Sequence, residues 1–153
     1  MSKRAVSFYS VLVLSLLLLA LPASAAAQST TSQITCRMNF NLRGWSLAVK
    51  SATGEGTISC DNGQTAEVRI RAKGAGLSAG KYEIRDGHGR FSAVSDIREL
   101  FGSYAAGDVA AGFVKEGEAM AMSKGSVNLA LAGKGTGFDL GAAVERFTLT
   151  PVK

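Results

Sequence analysis

From Ile34 onward apolar and polar residues alternate. Ile34, Cys36, Met38, Phe40 and Leu42 take the even positions, and Thr35, Arg37, Asn39, Asn41 and Arg43 lie between them. A period of two turns one face to a core and the other to water, so this segment is predicted to be a half-buried strand. At Gly44 the phase changes, because Trp45, Leu47 and Val49 continue on odd numbers, and a bulge or turn is expected there. Residues 51–56, rich in Ser, Thr and Gly, read as a loop. Residues 57–60 read as a short strand, and Asp61-Asn62-Gly63 as a turn whose Asn and Gly tolerate positive φ. Alternation returns over 64–71, with Ala66, Val68 and Ile70 inward. Residues 45–71 therefore form a predicted three-stranded meander.

Residues 73–80 read as a loose connection. A hairpin is predicted over 81–94, with Tyr82 and Ile84 on one face and Asp86-Gly87-His88-Gly89 at its tip. The strand rhythm breaks at 95–101. Asp96 followed three residues later by Glu99 is the spacing of a capping box, and Ile97, Leu100 and Phe101 then share a face, so one or two helical turns are expected, ended by Gly102. Short strands are expected over 103–106, 109–115, 118–123, 126–132, 136–140 and 144–150, punctuated by glycines. Many short strands at intervals of 8–12 residues indicate an all-β fold, an antiparallel sandwich or small closed barrel with Gly-rich turns and at most one short helix. An outer-membrane barrel would need strands of about 9–11 residues with aromatic girdles. The predicted strands are shorter, and the chain ends in Pro151-Val152-Lys153 without an aromatic residue.

The segment before this pattern reads as an export signal. Lys3 and Arg4 precede an apolar run over 11–21 broken only by Ser15, and Pro22 leads into Ala23-Ser24-Ala25-Ala26-Ala27, which fits signal peptidase. The run is short of the ~20 residues that span a bilayer. The expected organisation is a signal peptide at 1–27 and one domain at 28–153, exported to the periplasm or secreted. All 18 glycines lie beyond residue 40, and a hydrophobic content of 46% argues against disorder. The chain carries 17 basic and 12 acidic residues, for a net charge of +5; without Lys3 and Arg4 the balance is 15 against 12, or +3. The charges are interleaved, without a basic block, so nucleic acid is not an expected partner; weak affinity for an anionic membrane surface or polysaccharide is compatible with them. In an oxidising compartment Cys36 and Cys60 are expected to pair.

No catalytic signature emerges. His88, the sole histidine, must serve any His-dependent triad, but its flanking glycines fit a solvent-exposed hairpin tip. Glu116 and Glu118 straddle Gly117 and are expected to face solvent rather than form a glycosidase-type pair. Gly133-Lys134-Gly135-Thr136-Gly137 lacks the Gly-Lys-Ser/Thr step opening a helix that a phosphate loop needs, and reads as a hairpin turn. Phe113, Met120 and Met122 could line an apolar cavity or simply pack the core. No metal site and no cofactor are expected.

Leu100-Phe101-Gly102-Ser103-Tyr104, the run 126–131, the run 135–143 and Phe147-Thr148-Leu149-Thr150-Pro151 resemble the second half of a family of small exported proteobacterial proteins of unknown function. Ile34-Thr35-Cys36 with Cys60 is similar to that family's two-cysteine frame. The middle of the chain departs from it, with more charge and fewer aromatics. The resemblance implies an exported β-rich domain and supplies no activity. Ser123-Lys124-Gly125 before a Val/Leu strand also resembles a step of the SYLF lipid-binding domain, which implies a lipid-facing role and transfers no site residue. The expectation is a non-enzymatic binding or structural module of the envelope, its ligand a lipid or other apolar molecule or a partner protein. The alternative is a small periplasmic hydrolase or other enzyme using His88 or a carboxylate pair. An enzyme should gather polar groups around those residues in one cleft, and a binding module should show a dry pocket or an exposed apolar patch.

Overall fold

The computed structural model describes residues 31–46, 49–75, 80–107, 109, 112–136 and 144–153, which fall within the compact unit Thr31–Lys153. Eight strands build it: β1 (Cys36–Ser46), β2 (Val49–Cys60), β3 (Thr65–Ala75), β4 (Gly80–Phe91), β5 (Gly102–Ala106), β6 (Met120–Lys124), β7 (Val127–Thr136) and β8 (Arg146–Pro151). They close into a barrel in the order β1-β2-β3-β8-β5-β6-β7-β4, and every neighbouring pair is antiparallel. The fold is thus the closed, all-β alternative of the two expected. The export segment 1–27, all but the first residue of the expected strand over 136–140 and part of the expected connection over 73–80 lie outside the described residues.

The order contains two Greek keys, each a three-strand meander whose fourth strand returns beside the first: β4-β1-β2-β3 and β8-β5-β6-β7. Shifting every strand number by four reproduces the same closed order, so the two keys are wired identically. The seams between them, β3–β8 and β7–β4, are equivalent under that shift.

The even-numbered face of β1 points inward as its alternation requires. Cys36, Met38, Phe40 and Leu42 are buried with Ile58 of β2, Val68 and Ile70 of β3, and Phe91 of β4. The second key contributes Tyr104, Met122, Leu129 and Phe147 to the same core. Phe40 and Phe147 meet edge-on across the interior, with centroids 5.9 Å apart. Outward positions of β1–β3 carry Arg37, Asn39, Arg43, Glu55, Glu67 and Arg71. Several strands do reach the length of an outer-membrane strand, so the faces decide the matter: a charged exterior around an apolar interior is the reverse of a lipid-facing barrel. No described helix is long and apolar enough to cross a membrane.

Five local readings are corrected. Residues 51–56 are not a loop; they belong to β2, in register with β1 from Cys36↔Cys60 to Ser46↔Lys50. The Gly-rich stretch is compatible with a strand because Gly54 and Gly56 stand opposite Leu42 and Phe40, and a Cβ on Gly54 would collide with the Asn41 carbonyl oxygen. Nor is there a hairpin at 81–94, since β4 runs straight through. No bulge or turn falls at Gly44, where β1 stays in register with β2 and β4; the extra residue lies in β4, where Ile84 faces inward, then Gly87, Gly89 and Phe91. Asp86 takes the bulge at φ 52°, and Gly87 leaves room for the Phe40 ring packed against it. Finally, Gly133 and Gly135 lie within β7 rather than at a turn, and the described part of 109–115 is not strand.

Among the described residues the one helical element is a single 3₁₀ turn, Ile97–Leu100, at the junction of the two keys. Its capping box is complete: an Asp96 side-chain oxygen accepts from the Arg98 N–H at 2.8 Å, and Glu99 accepts from the Asp96 N–H at 2.9 Å. Ile97 and Leu100 enter the core. Just beyond, the buried Tyr104 hydroxyl donates to the Leu100 carbonyl at 2.8 Å, a corner contact that ties β5 to the turn before it. Burial pushes the phenol well above its usual range, so it stays a donor.

Candidate functional site

The long strands of the first key place polar side chains in a connected grid on the outer wall. At its centre is a groove of about 770 Å³ bordered by Asn41, Thr53, Glu55, Arg69, Glu83 and Asp86. It shares Asn41, Glu55, Arg69 and Asp86 with a neighbouring depression of about 360 Å³. The bulge in β4 shapes this region. Its extra residue, Asp86, donates its backbone N–H to the Asn41 side-chain oxygen at 3.0 Å, which locks the bulged strand to β1.

One wall of the groove is a three-residue charge cluster. Glu83 accepts from Arg85 at 2.9 Å and from Arg43 at 3.0 Å. The Arg85 guanidinium first, and Arg43 with it, hold the Glu83 carboxyl below the usual carboxylate range, and Arg85 is correspondingly raised. Opposite, Glu55 and Arg69 stand directly across the β2–β3 ladder. The groove thus presents fixed charges of both signs beside the amide of Asn41 and the hydroxyl of Thr53. Such a surface can hydrogen-bond and orient a polar ligand. Glu83 is held as an anion between two guanidinium groups, a poor arrangement for taking up a proton, so it does not suit general acid–base work.

The residues singled out from sequence fall in separate places. Cys36 and Cys60 form a disulfide linking the directly paired ends of β1 and β2, with Cα atoms 4.0 Å apart. His88 is exposed as expected but lies mid-strand, where its Nδ1 is 2.8 Å from the Asn39 side-chain oxygen. Glu116 is exposed. Glu118 is not: its side chain is 13% accessible and receives Arg90 in a two-point pair, at 2.8 and 2.9 Å. Arg90 also donates to the Phe113 carbonyl and lies over the Phe113 ring at 4.4 Å. Its guanidinium, then the Lys115 backbone N–H, lower the Glu118 carboxyl below its usual range. This clamp fastens residues 113–118 onto β4. The two glutamates expected to straddle a turn in solvent therefore have different tasks, and neither meets His88 or a second carboxylate. Among the described residues no group of acids, His and Cys is arranged to hold a metal ion.

Met120 and Met122 pack into the core, and Phe113 sits under Arg90, so the three do not enclose an apolar cavity. The only exposed large apolar side chains among the described residues are Val114 and Val152. The dry pocket or exposed apolar patch expected of a binding module is thus not a feature of the described residues, whose groove is polar instead. The polar groove was missed because its lining comes from four strands whose register no local pattern specifies; the missing signal was the odd-numbered polar series on β1 and β3, read above only as a solvated face. Together these features define a small, disulfide-stapled double Greek-key barrel with a polar groove on its longer half. Comparison of the chain with protein-family models, with curated proteins and with solved structures finds no match.

Proposed function

We propose that the protein is an exported, non-enzymatic binding module of the cell envelope that presents the outer wall of β1–β4 to a polar partner. The observation that carries this reading is the groove itself: charges of both signs, braced by the Arg43–Glu83–Arg85 cluster, on a wall held by the β4 bulge. Preorganised polar side chains lower the ordering cost of binding. A packed interior leaves the exterior as the interaction surface, which favours a partner protein or envelope saccharide over a buried lipid. Export is supported by the disulfide and by the leader-like segment.

Amide chemical-shift mapping tests it. The chain from Gln28 onward is titrated with soluble envelope glycan fragments and, separately, with periplasmic proteins cross-linked at low stoichiometry. The expected shifts and cross-links cluster on Asn41, Thr53, Glu55 and Arg69, and Glu83→Gln weakens them about tenfold, the loss of one charge-assisted contact. Contacts that map to the β5–β6 side, or turnover of a hydrolase substrate that His88→Ala abolishes, would overturn the proposal.

A further inference from the structure

The barrel places like charges directly opposite one another at three points on its outer wall: Arg37 and Arg90, Arg85 and Lys134, and Lys73 and Arg146. Such pairs destabilise a sheet unless a counter-charge relieves them. Two are relieved within the protein, because Arg90 is paired with Glu118 and Arg85 with Glu83. For the third, Lys73 on β3 and Arg146 on β8, no carboxylate lies within ion-pair distance among the described residues. Glu145 precedes Arg146 at the bend, where its backbone N–H binds the Lys73 carbonyl at 2.9 Å.

The neighbours deepen the imbalance. Across β2, β3, β8 and β5 one row reads Ser51, Lys73, Arg146, Ala105, and the next reads Thr53, Arg71, Thr148, Ser103. The two rows hold three cations and four hydroxyls and contain no acid. Ser103 and Thr148 are already hydrogen-bonded to each other at 2.7 Å, which fixes their position beside Arg71 and Arg146. Arg71, Lys73 and Arg146 are all exposed.

We propose that this seam of β3 and β8 docks the barrel on a membrane surface bearing anionic phosphate headgroups. Cations supply the attraction, and hydroxyls beside them donate to phosphate oxygens. The cations stand side by side on an outer wall, so they face an extended array of phosphates rather than enclose one small ion. The seam's cations, Arg71, Lys73 and Arg146, do not line the groove, so the inference stands whether or not the groove binds a partner.

Co-sedimentation of the chain from Gln28 onward with phosphatidylglycerol vesicles, against phosphatidylcholine vesicles, is the test. Binding is expected to phosphatidylglycerol alone and to weaken as salt is raised. Lys73→Gln with Arg146→Gln should weaken it roughly 30-fold, from about one kcal/mol per cation at a membrane surface. Arg37→Gln with Lys115→Gln makes the same change in net charge elsewhere and should weaken it much less. Relief of the opposed charges leaves the double variant at Lys73 and Arg146 at least as stable as the parent by urea unfolding. Equal binding to both vesicle types, or equal losses in the two double variants, would overturn the proposal. So would retention on dextran sulfate without binding to phosphatidylglycerol vesicles, which would assign the seam to an anionic polysaccharide.

Discussion

In the first Greek key the strands run 11, 12, 11 and 12 residues; in the second they run 5, 5, 10 and 6. Both follow the same path, and both send large apolar residues into one interior. Closure therefore asks for only about five paired residues from a strand, and what exceeds that is free for other use. The first key spends its extra length on an exterior of Arg, Asn, Glu and Thr, and it carries the disulfide, the bulge and the groove. The second mixes Ala105, Ala121 and Asn128 with Ser103, Arg146 and Thr148 at outward positions and contributes Tyr104 and Phe147 to the core. Identical wiring thus lets both keys fill one core while the lengthened key carries the larger polar wall.

The comparison is broken most severely at Gly54. Its missing Cβ is what allows β2 to lie against the Asn41 carbonyl. Gly54→Val is expected to cost at least about 4 kcal/mol, from overpacking against backbone that cannot move aside. In the second key Gly125 occupies an open turn at φ 58°, so Gly125→Ala should cost only about 1 kcal/mol of backbone strain. Urea unfolding of the two variants measures the contrast, and equal losses would remove the argument that close strand contact dictates the first key's glycines.

The next effect belongs to the staple. Cys36→Ser with Cys60→Ser opens a loop of sequence separation 24 and should cost about 3.5 kcal/mol in the chain-entropy model. Because the bridge joins β1 and β2, hydrogen exchange should rise first at that end of the first key and not in β5–β6.

The Arg90–Glu118 clamp joins the halves, and Glu118→Gln is expected to cost about 2 kcal/mol, with proteolytic cleavage appearing within 113–118. Folding lowers the Glu118 pKa from its ordinary 4.5. The stabilisation is therefore present above pH 4.5 and is lost as pH falls through the lower value of the folded state. Cleavage of the parent should rise as pH falls below 4.5, while Glu118→Gln should show no such rise over the same range.

Smallest is Tyr104→Phe, which removes one hydroxyl and leaves the Leu100 carbonyl without that partner. A loss of about 1 kcal/mol by thermal unfolding is expected.

The alternation along β1 and β3 was legible because each strand has one face in water and one in a packed core. The capping box at Asp96 and Glu99 and the turn at Asp61-Asn62-Gly63 were legible because their chemistry is local. The strand character of 51–56 was not: Gly and Ser there look like punctuation until Leu42 and Phe40 are known to lie opposite. Asp86-Gly87-His88-Gly89 misled for the same reason, since Gly87 makes room for the ring of Phe40, far earlier in the chain. The groove and the basic seam share this origin. Glu55 meets Arg69, and Lys73 meets Arg146, only through pairings between strands, which no window along the chain contains.

The self-matching strand order bears on how such a molecule could miscarry. Either four-strand unit alone would leave two bare edges, and those edges fit the edges of another copy of the same unit, because the two seams are equivalent. Two copies of one half would therefore reproduce the same closed strand order. The same geometry admits an exchange between two present-day chains, each lending its β5–β8 to the other to yield an interlocked dimer without any new contact surface.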